Sequence, residues 1–359
     1  MSRIIVIGGG IAGISAAARL APHAKVTVLE GEASLAYHAS GRSAAMFLLN
    51  YGNATIKALN AASADHHRHA DGGVLSKRGM MMVAGSGHAA AFRTDSVDLG
   101  LDEVTLDEAQ RLWPILNRET VAYAAYREDA QDLDTDLLIQ NFARSAKAHG
   151  AQILTDARVS GIERTPGGWR VTTANGHSHE GDLLVNAAGA WADKVAEMAG
   201  VAPLGIQPYR RSMARIALPQ GMSPADWPFV DGVGESWYCK PDAGALIVSP
   251  ADEDPVDPQD AWADDMVLAE GLARYQEMVT EPVTRMLANW AGLRSFAPDR
   301  ALVIGADAQD PSFFWCAGQG GYGFQTAPAA SQLLADLALG VTPALDAAAV
   351  AALDPKRFA

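Results

Sequence analysis

The sequence predicts an α/β protein, α+β overall, in which a discontinuous Rossmann-like nucleotide domain has a second domain threaded through its middle. Three observations predict it. The chain opens on a strand–glycine–helix–strand pattern that begins Ser2-Arg3-Ile4-Ile5-Val6-Ile7-Gly8-Gly9-Gly10-Ile11-Ala12-Gly13. A second glycine-rich βα turn, Gly318-Gln319-Gly320-Gly321-Tyr322-Gly323, lies near the other end. The 359 residues leave enough chain between the two for another core.

Residues 3–7 are apolar and mostly β-branched, which reads as a buried parallel strand. Ile14 to Leu20 is good helix sequence, and Lys25-Val26-Thr27-Val28-Leu29 is a second strand ending at Glu30. In that context the glycines have separate tasks. Gly8 makes the tight turn, Gly10 admits a pyrophosphate to the backbone, and Gly13 lets helix and strand pack closely. The helix start at Ile11 and Ala12 presents N–H groups to negative charge. Glu30, followed by Gly31, falls about 17–20 residues past the glycines, where a carboxylate binds ribose hydroxyls and disfavours a 2′-phosphate. Further on, Ala251 to Pro258 is rich in Asp and Pro and reads as an exposed loop. A helix-like stretch near 264–288 follows, then strands near 301–305 and 313–317.

Composition narrows the class. A hydrophobic fraction of 49% with 19% charged residues is that of a globular chain. A net charge of -14 argues against nucleic acid or an anionic membrane as partner. Cys239 and Cys316 form no ligand-spaced cluster, so neither a metal site nor a disulfide framework is expected, and a cytoplasmic setting is. The apolar segment Ile4 to Ala18 carries fingerprint glycines and a single early charge, unlike a signal peptide. No apolar run reaches the ~18–20 residues of a transmembrane helix.

The fingerprint does not distinguish one dinucleotide from another; three further segments do. Tyr37-His38-Ala39-Ser40-Gly41-Arg42-Ser43-Ala44-Ala45 supplies hydroxyls, a cation and a glycine for a long diphosphate. Leu183-Leu184-Val185-Asn186-Ala187-Ala188-Gly189-Ala190-Trp191 runs from a buried strand into small residues that permit backbone approach. The 318–323 glycines offer N–H groups suited to the anionic side of a reduced flavin. With Tyr51-Gly52, Asp132 to Asp136, Arg210-Arg211-Ser212, Glu235 to Pro241 and Trp290 to Phe296, these segments resemble the D-amino-acid oxidase superfamily of FAD enzymes along nearly the whole chain. Within it the pattern is most similar to the D-arginine dehydrogenases. The resemblance implies an FAD domain at 1–75, 140–205 and 290–359, and a substrate domain on a mostly antiparallel sheet at 76–139 and 206–289. It also implies cofactor contacts from Val159, Arg294, Gly320, Gly321, Tyr322, Gly323, Gln325 and Thr326. No cysteine lies near 291–294, so FAD is expected to be non-covalent.

An enzyme of this type orients its substrate through the carboxylate, and the planar fork of Arg suits both oxygens. Arg294 is a cation in an apolar stretch, and Arg210-Arg211 precedes a strand-like run. By resemblance, Arg211, Arg294, Tyr51 and Tyr238 hold the carboxylate and the Gly321 carbonyl faces the amine; a structural ion pair for each Arg and core packing for each Tyr are the alternatives. Where the arginine-specific relatives have histidine, glutamate, threonine, methionine and valine, this chain has Met46, Met80, Leu48, Phe229 and Asp231. An apolar wall cannot pair a buried guanidinium. The pocket therefore predicts a neutral or hydrophobic substituent, with Asp231 facing solvent in the turn Asp231-Gly232-Val233-Gly234, or else forming a cation site on another wall. His66, His67 and His69 read as the solvated face of a helix, and His38 as a cofactor or loop residue.

The expected activity is oxidative deamination of a small D-amino acid to an imino acid, which hydrolyses to a 2-oxo acid and ammonia. The alternatives are oxidation of a secondary amine of the sarcosine or glycine type, oxidation of a 2-hydroxy acid, or a non-catalytic flavin-binding subunit. The electron acceptor, quinone or O2, has no motif of its own.

Overall fold

A computed structural model describes residues 2–219 and 221–359. The N-terminal pattern forms the centre of a six-stranded sheet, in the order Val303–Ala306, Phe313–Ala317, Leu183–Asn186, Arg3–Ile7, Lys25–Leu29, Gln152–Leu154. Its pairings are parallel except for the antiparallel edge between Val303–Ala306 and Phe313–Ala317. On one face the helix Ile11–Leu20 packs against Thr135–Ala148 and Gly323–Leu339. Its Ala16 and Ala17, with Ile14 and Leu20, are fully buried, and their small size permits the close approach. Over the other face lies a three-stranded sheet, Val159–Thr165, Gly168–Thr173 and Ser178–Gly181, whose Trp169 and Val171 pack on Ile5, Ile7 and Trp315.

The second sheet has nine strands. Its order is Asp254–Pro255, Gln207–Ile216, Ala245–Ser249, Tyr238–Asp242, Phe229–Gly232, Met80–Gly85, Val121–Arg127, Asp102–Val104, with Met286–Phe296 also paired to Gln207–Ile216. One pairing, Phe229–Gly232 with Met80–Gly85, is parallel and the others are antiparallel. Alternation along the strands gives the two faces different chemistry. Met81, Val230, Cys239, Val248 and Ala214 face a core with Trp113, Trp237 and Tyr275, covered by the helix Asp265–Glu277. Met80, Met82, Phe229, Asp231, Tyr238, Met213 and Arg211 alternate with them and face the other way.

The helix expected over 264–288 is shorter. Asp264 caps it through the N–H groups of Met266 and Val267, and it ends at Glu277. Pro282, which has no N–H to continue a helix, follows, and Met286–Phe296 is a strand. No helix among the described residues is long and apolar enough to cross a membrane.

Candidate active site

Two clefts join between the sheets. One, of ≈ 1220 Å³, runs along the carboxyl ends of the parallel strands; the other, of ≈ 1510 Å³, continues from it across the nine-stranded sheet. Gly10, Ser40, Arg42 and Gly189 line both.

The first cleft is lined by Gly8, Glu30, Gly31, Val159, Ala188 and Trp191. Gly8 has φ +107°, and a Cβ there would stand 2.4 Å from the Ala187 carbonyl oxygen. A Cβ at Gly13 would stand 1.9 Å from the Gly8 oxygen, so Gly13 sets the helix–strand distance without lining the cleft. The Glu30 carboxylate accepts from the Gly9 N–H at 2.6 Å and the Glu32 N–H at 2.8 Å. These bonds fix its orientation and leave lone pairs for ribose hydroxyls. The Ile11 N–H donates to Ser40 Oγ at 3.0 Å, tying the helix start to the 39–42 turn. Gly41 belongs to that turn, where a Cβ would meet the Ala36 oxygen at 2.3 Å. The Arg42 guanidinium is already engaged: it donates to the carbonyls of Ala261 at 3.0 Å and Ala291 at 2.9 Å, and to Asp260 Oδ1 at 2.5 Å. Arg42 therefore fastens the turn to the second sheet while lining both clefts.

The second cleft is lined by Ile11, Ala12, Ser43, Ala44, Ala45, Gly320, Gly321, Gly323 and Gln325 from the nucleotide side. Gly320 has φ +51°, and its N–H donates to the Ser295 carbonyl at 2.9 Å; a Cβ would stand 2.1 Å from the Phe296 ring. A Cβ at Gly321 would be 3.2 Å from the guanidinium carbon of Arg294, so this glycine backbone rests directly on the arginine. Tyr322 and Thr326 lie just behind the lining, the Thr326 hydroxyl donating to the Tyr322 carbonyl at 2.8 Å. These glycines at the start of the helix Gly323–Leu339, together with the Gly8–Gly13 turn and Glu30, form a cradle that fits the FAD.

Across from them stand Arg211, Arg294, Tyr51 and Tyr238, with Met46, Leu48, Met80, Phe229 and Asp231. The sheet explains the convergence. Arg210 and Arg211 point to opposite faces of one strand. Arg210 pairs with Asp252 at 3.3 Å and Asp254 at 2.7 Å, whereas Arg211, 4% exposed, has no ion-pair partner among the described residues and its Nε has no acceptor. Arg294, opposite Tyr209 on the neighbouring strand, likewise has no carboxylate partner among the described residues. Burial works against its charge, and Tyr51, Tyr238, Glu235 and Tyr322 together more than offset it, so its pKa is raised. Burial in turn pushes the Tyr51 hydroxyl above its ordinary range, with Arg294 opposing. Phe229 stacks on Tyr238 at 5.4 Å between ring centroids, and Tyr51 lies 5.2 Å from Tyr322. Two guanidiniums without carboxylate partners among the described residues, beside two phenols, are chemically suited to holding a carboxylate.

Two sequence readings are corrected here. Asp231 is not in a solvent-facing turn: it is paired with Tyr238 and Met82 in the strand Phe229–Gly232 and is 7% exposed. Its hydrogen-bonded register on both sides overrides the turn propensity of the glycines that follow. Nor do the three histidines share a solvated face. His67 is fully buried, its Nε2 3.0 Å from the Gln325 carbonyl, and His66 stacks on Phe142 at 5.2 Å; only His69 is largely exposed. Successive helix positions turn by 100°, so neighbouring histidines reach different surroundings. Two further residues were not among the expected ones: Gly9, which holds Glu30, and Glu235, which lines the second cleft with φ +51°. A backbone strained by tertiary contacts leaves no mark in composition.

The profile of the FAD dependent oxidoreductase family, DAO, matches residues 3–337. A glycine oxidase from Bacillus licheniformis is 26% identical, with 94% of this chain and 92% of the relative covered. Monomeric sarcosine oxidase from Bacillus sp. (strain B-0618) is 24% identical over 58% of this chain and 56% of its own length. Among solved structures, L-proline dehydrogenase from P. horikoshii superposes with a TM-score of 0.83 at 23% identity, covering 99% of this chain and 97% of its own. Glycine oxidase from Geobacillus kaustophilus gives 0.82 at 21% identity, with 98% of each chain covered. With FAD its cofactor, the chain belongs to the DAO family of FAD-dependent oxidoreductases.

Proposed function

We propose that the protein oxidises the Cα–N bond of an amino acid with an aliphatic side chain, in the D configuration, releasing an imino acid that water hydrolyses. The observation that carries this reading is the pair of guanidiniums without carboxylate partners among the described residues, buried Arg211 and half-buried Arg294, open to the cleft beside Tyr51 and Tyr238. The D configuration is supported by the likeness of the clamp segments to those of D-arginine dehydrogenases.

In this reading Arg211 and Arg294 take the carboxylate oxygens, Tyr51 and Tyr238 donate to them, and the Gly321 carbonyl accepts from the substrate amine. Met46, Leu48, Met80 and Phe229 pack on the side chain, and Met adapts to irregular shapes. When bound, FAD supplies a two-electron acceptor. The described lining of the second cleft contains no histidine, so the amine loses its proton to solvent before reaction. The rate is then expected to rise with pH as the amine deprotonates; a flat profile from mildly acidic to alkaline pH would count against this. Cys239 and Cys316 are buried and line neither cleft, so acid precipitation should release FAD into the supernatant.

The names of the relatives favour a second reading, a secondary amine or glycine as substrate. Anaerobic bleaching of the bound flavin by D- and L-amino acids, N-methyl amino acids and 2-hydroxy acids separates the two. Bleaching by D-amino acids supports the first; none by any carboxylate leaves a flavin-binding subunit. Re-oxidation by quinone or O2 then identifies the electron acceptor.

A further inference from the structure

We propose that Asp231, assisted by Glu235, recognises a distal ammonium on the substrate side chain, so that the preferred substrates are diamino acids of the ornithine and lysine class. This rests on the amino-acid reading above and names the side chain that goes with it.

Asp231 lines the cleft, is 7% exposed, and its Oδ1 has no hydrogen-bond partner. A buried carboxyl left without a partner is costly. Folded proteins tolerate that cost where a ligand completes the site. Glu235 lines the same cleft and has no ion-pair partner among the described residues. Its backbone sits at φ +51°, uncommon for a non-glycine residue and worth keeping only where the surroundings require it. Burial penalises the Asp231 charge first and Glu235 next, with Arg211 and Arg294 opposing. The cations of the cleft, Arg211 and Arg294, are occupied once a substrate carboxylate arrives. What remains at the far wall is a buried carboxyl with a partnerless oxygen beside the Glu235 side chain, and a cation that draws the proton from Asp231 complements the pair.

The sheet gives the distance. Two strands, Ala245–Ser249 and Tyr238–Asp242, separate Arg211 from Asp231. Three strand spacings make about 14 Å between their backbones. Arg211 also sits two residues off the Asp231 row, which adds about 7 Å along the strand, and both side chains reach into the span; a lysine, roughly 7 Å from carboxylate to Nζ, bridges the remainder with a hydrogen bond of about 3 Å at each end. Tyr238, on the strand between, lies along that path with Phe229 stacked on it, and Met80 flanks Asp231 from the strand beyond. Shorter neutral side chains leave Asp231 unpaired.

The test uses the FAD-loaded enzyme. Hexanoate and 6-aminohexanoate share the carboxylate and lack the Cα amine, so neither is oxidised, and only the second carries the distal ammonium. Their binding is read from the perturbed flavin spectrum. The expected result is binding of 6-aminohexanoate about 30-fold tighter or more, and a D-lysine to D-norleucine ratio of kcat/KM raised by a similar factor. Asp231→Asn should lower both ratios about 30-fold, and Glu235→Gln by about three-fold because that residue is exposed. Equal binding of the two acids, or ratios unchanged in an Asp231→Asn variant that keeps its flavin, would overturn the inference. So would D-serine or D-glutamine surpassing D-lysine, which would make Asp231 a neutral hydrogen-bonding group. If Asp231→Asn does not hold FAD, the Glu235→Gln ratios decide in the same way. If no amino acid bleaches the flavin while 6-aminohexanoate retains its Asp231-dependent advantage, the recognition stands and the deamination reading fails.

Discussion

At the scale of single residues, function depends on which groups are left unpaired. Arg210 and Arg211 are neighbours in sequence, yet one is neutralised by Asp252 and Asp254 while the other stands buried and open to the cleft. In the proposed clamp, removing one arm leaves a carboxylate half bound. Arg294→Ala should lower kcat/KM about 100-fold or more with FAD still bound; unchanged steady-state kinetics would remove Arg294 from the site. Asp231 carries the opposite signature. Its pKa is raised by burial first and by Glu235 next. The folded state therefore holds its proton where the unfolded chain has already lost it, and the group's contribution to stability falls as pH rises above the ordinary carboxylate range. Asp231→Asn should raise the Tm of the substrate-free enzyme at neutral pH, and more there than at pH 4. A lower Tm at both pH values would contradict this.

At the scale of elements, the glycine turn and the helix behind it set the cofactor end. Gly8→Ala places a Cβ against the Ala187 oxygen at a φ of +107°. The expected outcome is a tenfold or greater loss of FAD affinity, about 1.4 kcal/mol or more, measured by flavin titration. The helix Ala54–His69 shows a second constraint. Burial holds His67 neutral, with its pKa lowered to about 4. The unfolded chain takes up a proton near 6.5, so this contribution is complete above that pH and is lost as pH falls towards 4. It amounts to up to about 3 kcal/mol. A His67→Gln variant should show a shallower fall of Tm between pH 6.5 and 4 than the parent; parallel curves would place the acid sensitivity elsewhere.

At the scale of the whole molecule, two sheets of different design share one cleft. The parallel sheet brings helix starts and glycine turns to one end of the cleft, while the nine-stranded sheet presents one face of alternating side chains to the proposed substrate site. FAD would bridge them, so its binding is coupled to their mutual packing. FAD at 1,000 times its Kd should stabilise the protein by about 4 kcal/mol, and flavin release should coincide with loss of near-UV circular dichroism on heating. Release well before that loss would mean the sheets hold together without it.

Much of this was legible from the chain. The Arg3–Ile7 strand, the glycine spacing and Glu30 are local patterns, because a βα turn is built by adjacent residues. The βα turn at 318–323 is local for the same reason, and its position near the other chain end showed that the nucleotide domain is discontinuous. The residues proposed as a clamp, Arg211, Arg294, Tyr51 and Tyr238, came by resemblance from long matching segments, and all four line one cleft. The end of the helix at Glu277, the burial of His67 and the inward face of Asp231 were not. Each depends on what packs against it: a strand partner, the Gln325 carbonyl, the register with Tyr238 and Met82. The sequence by itself determined the family, the cofactor and the cationic residues. Only the tertiary structure decided which charges are left without partners, because pairing is a matter of distance between strands remote in the chain.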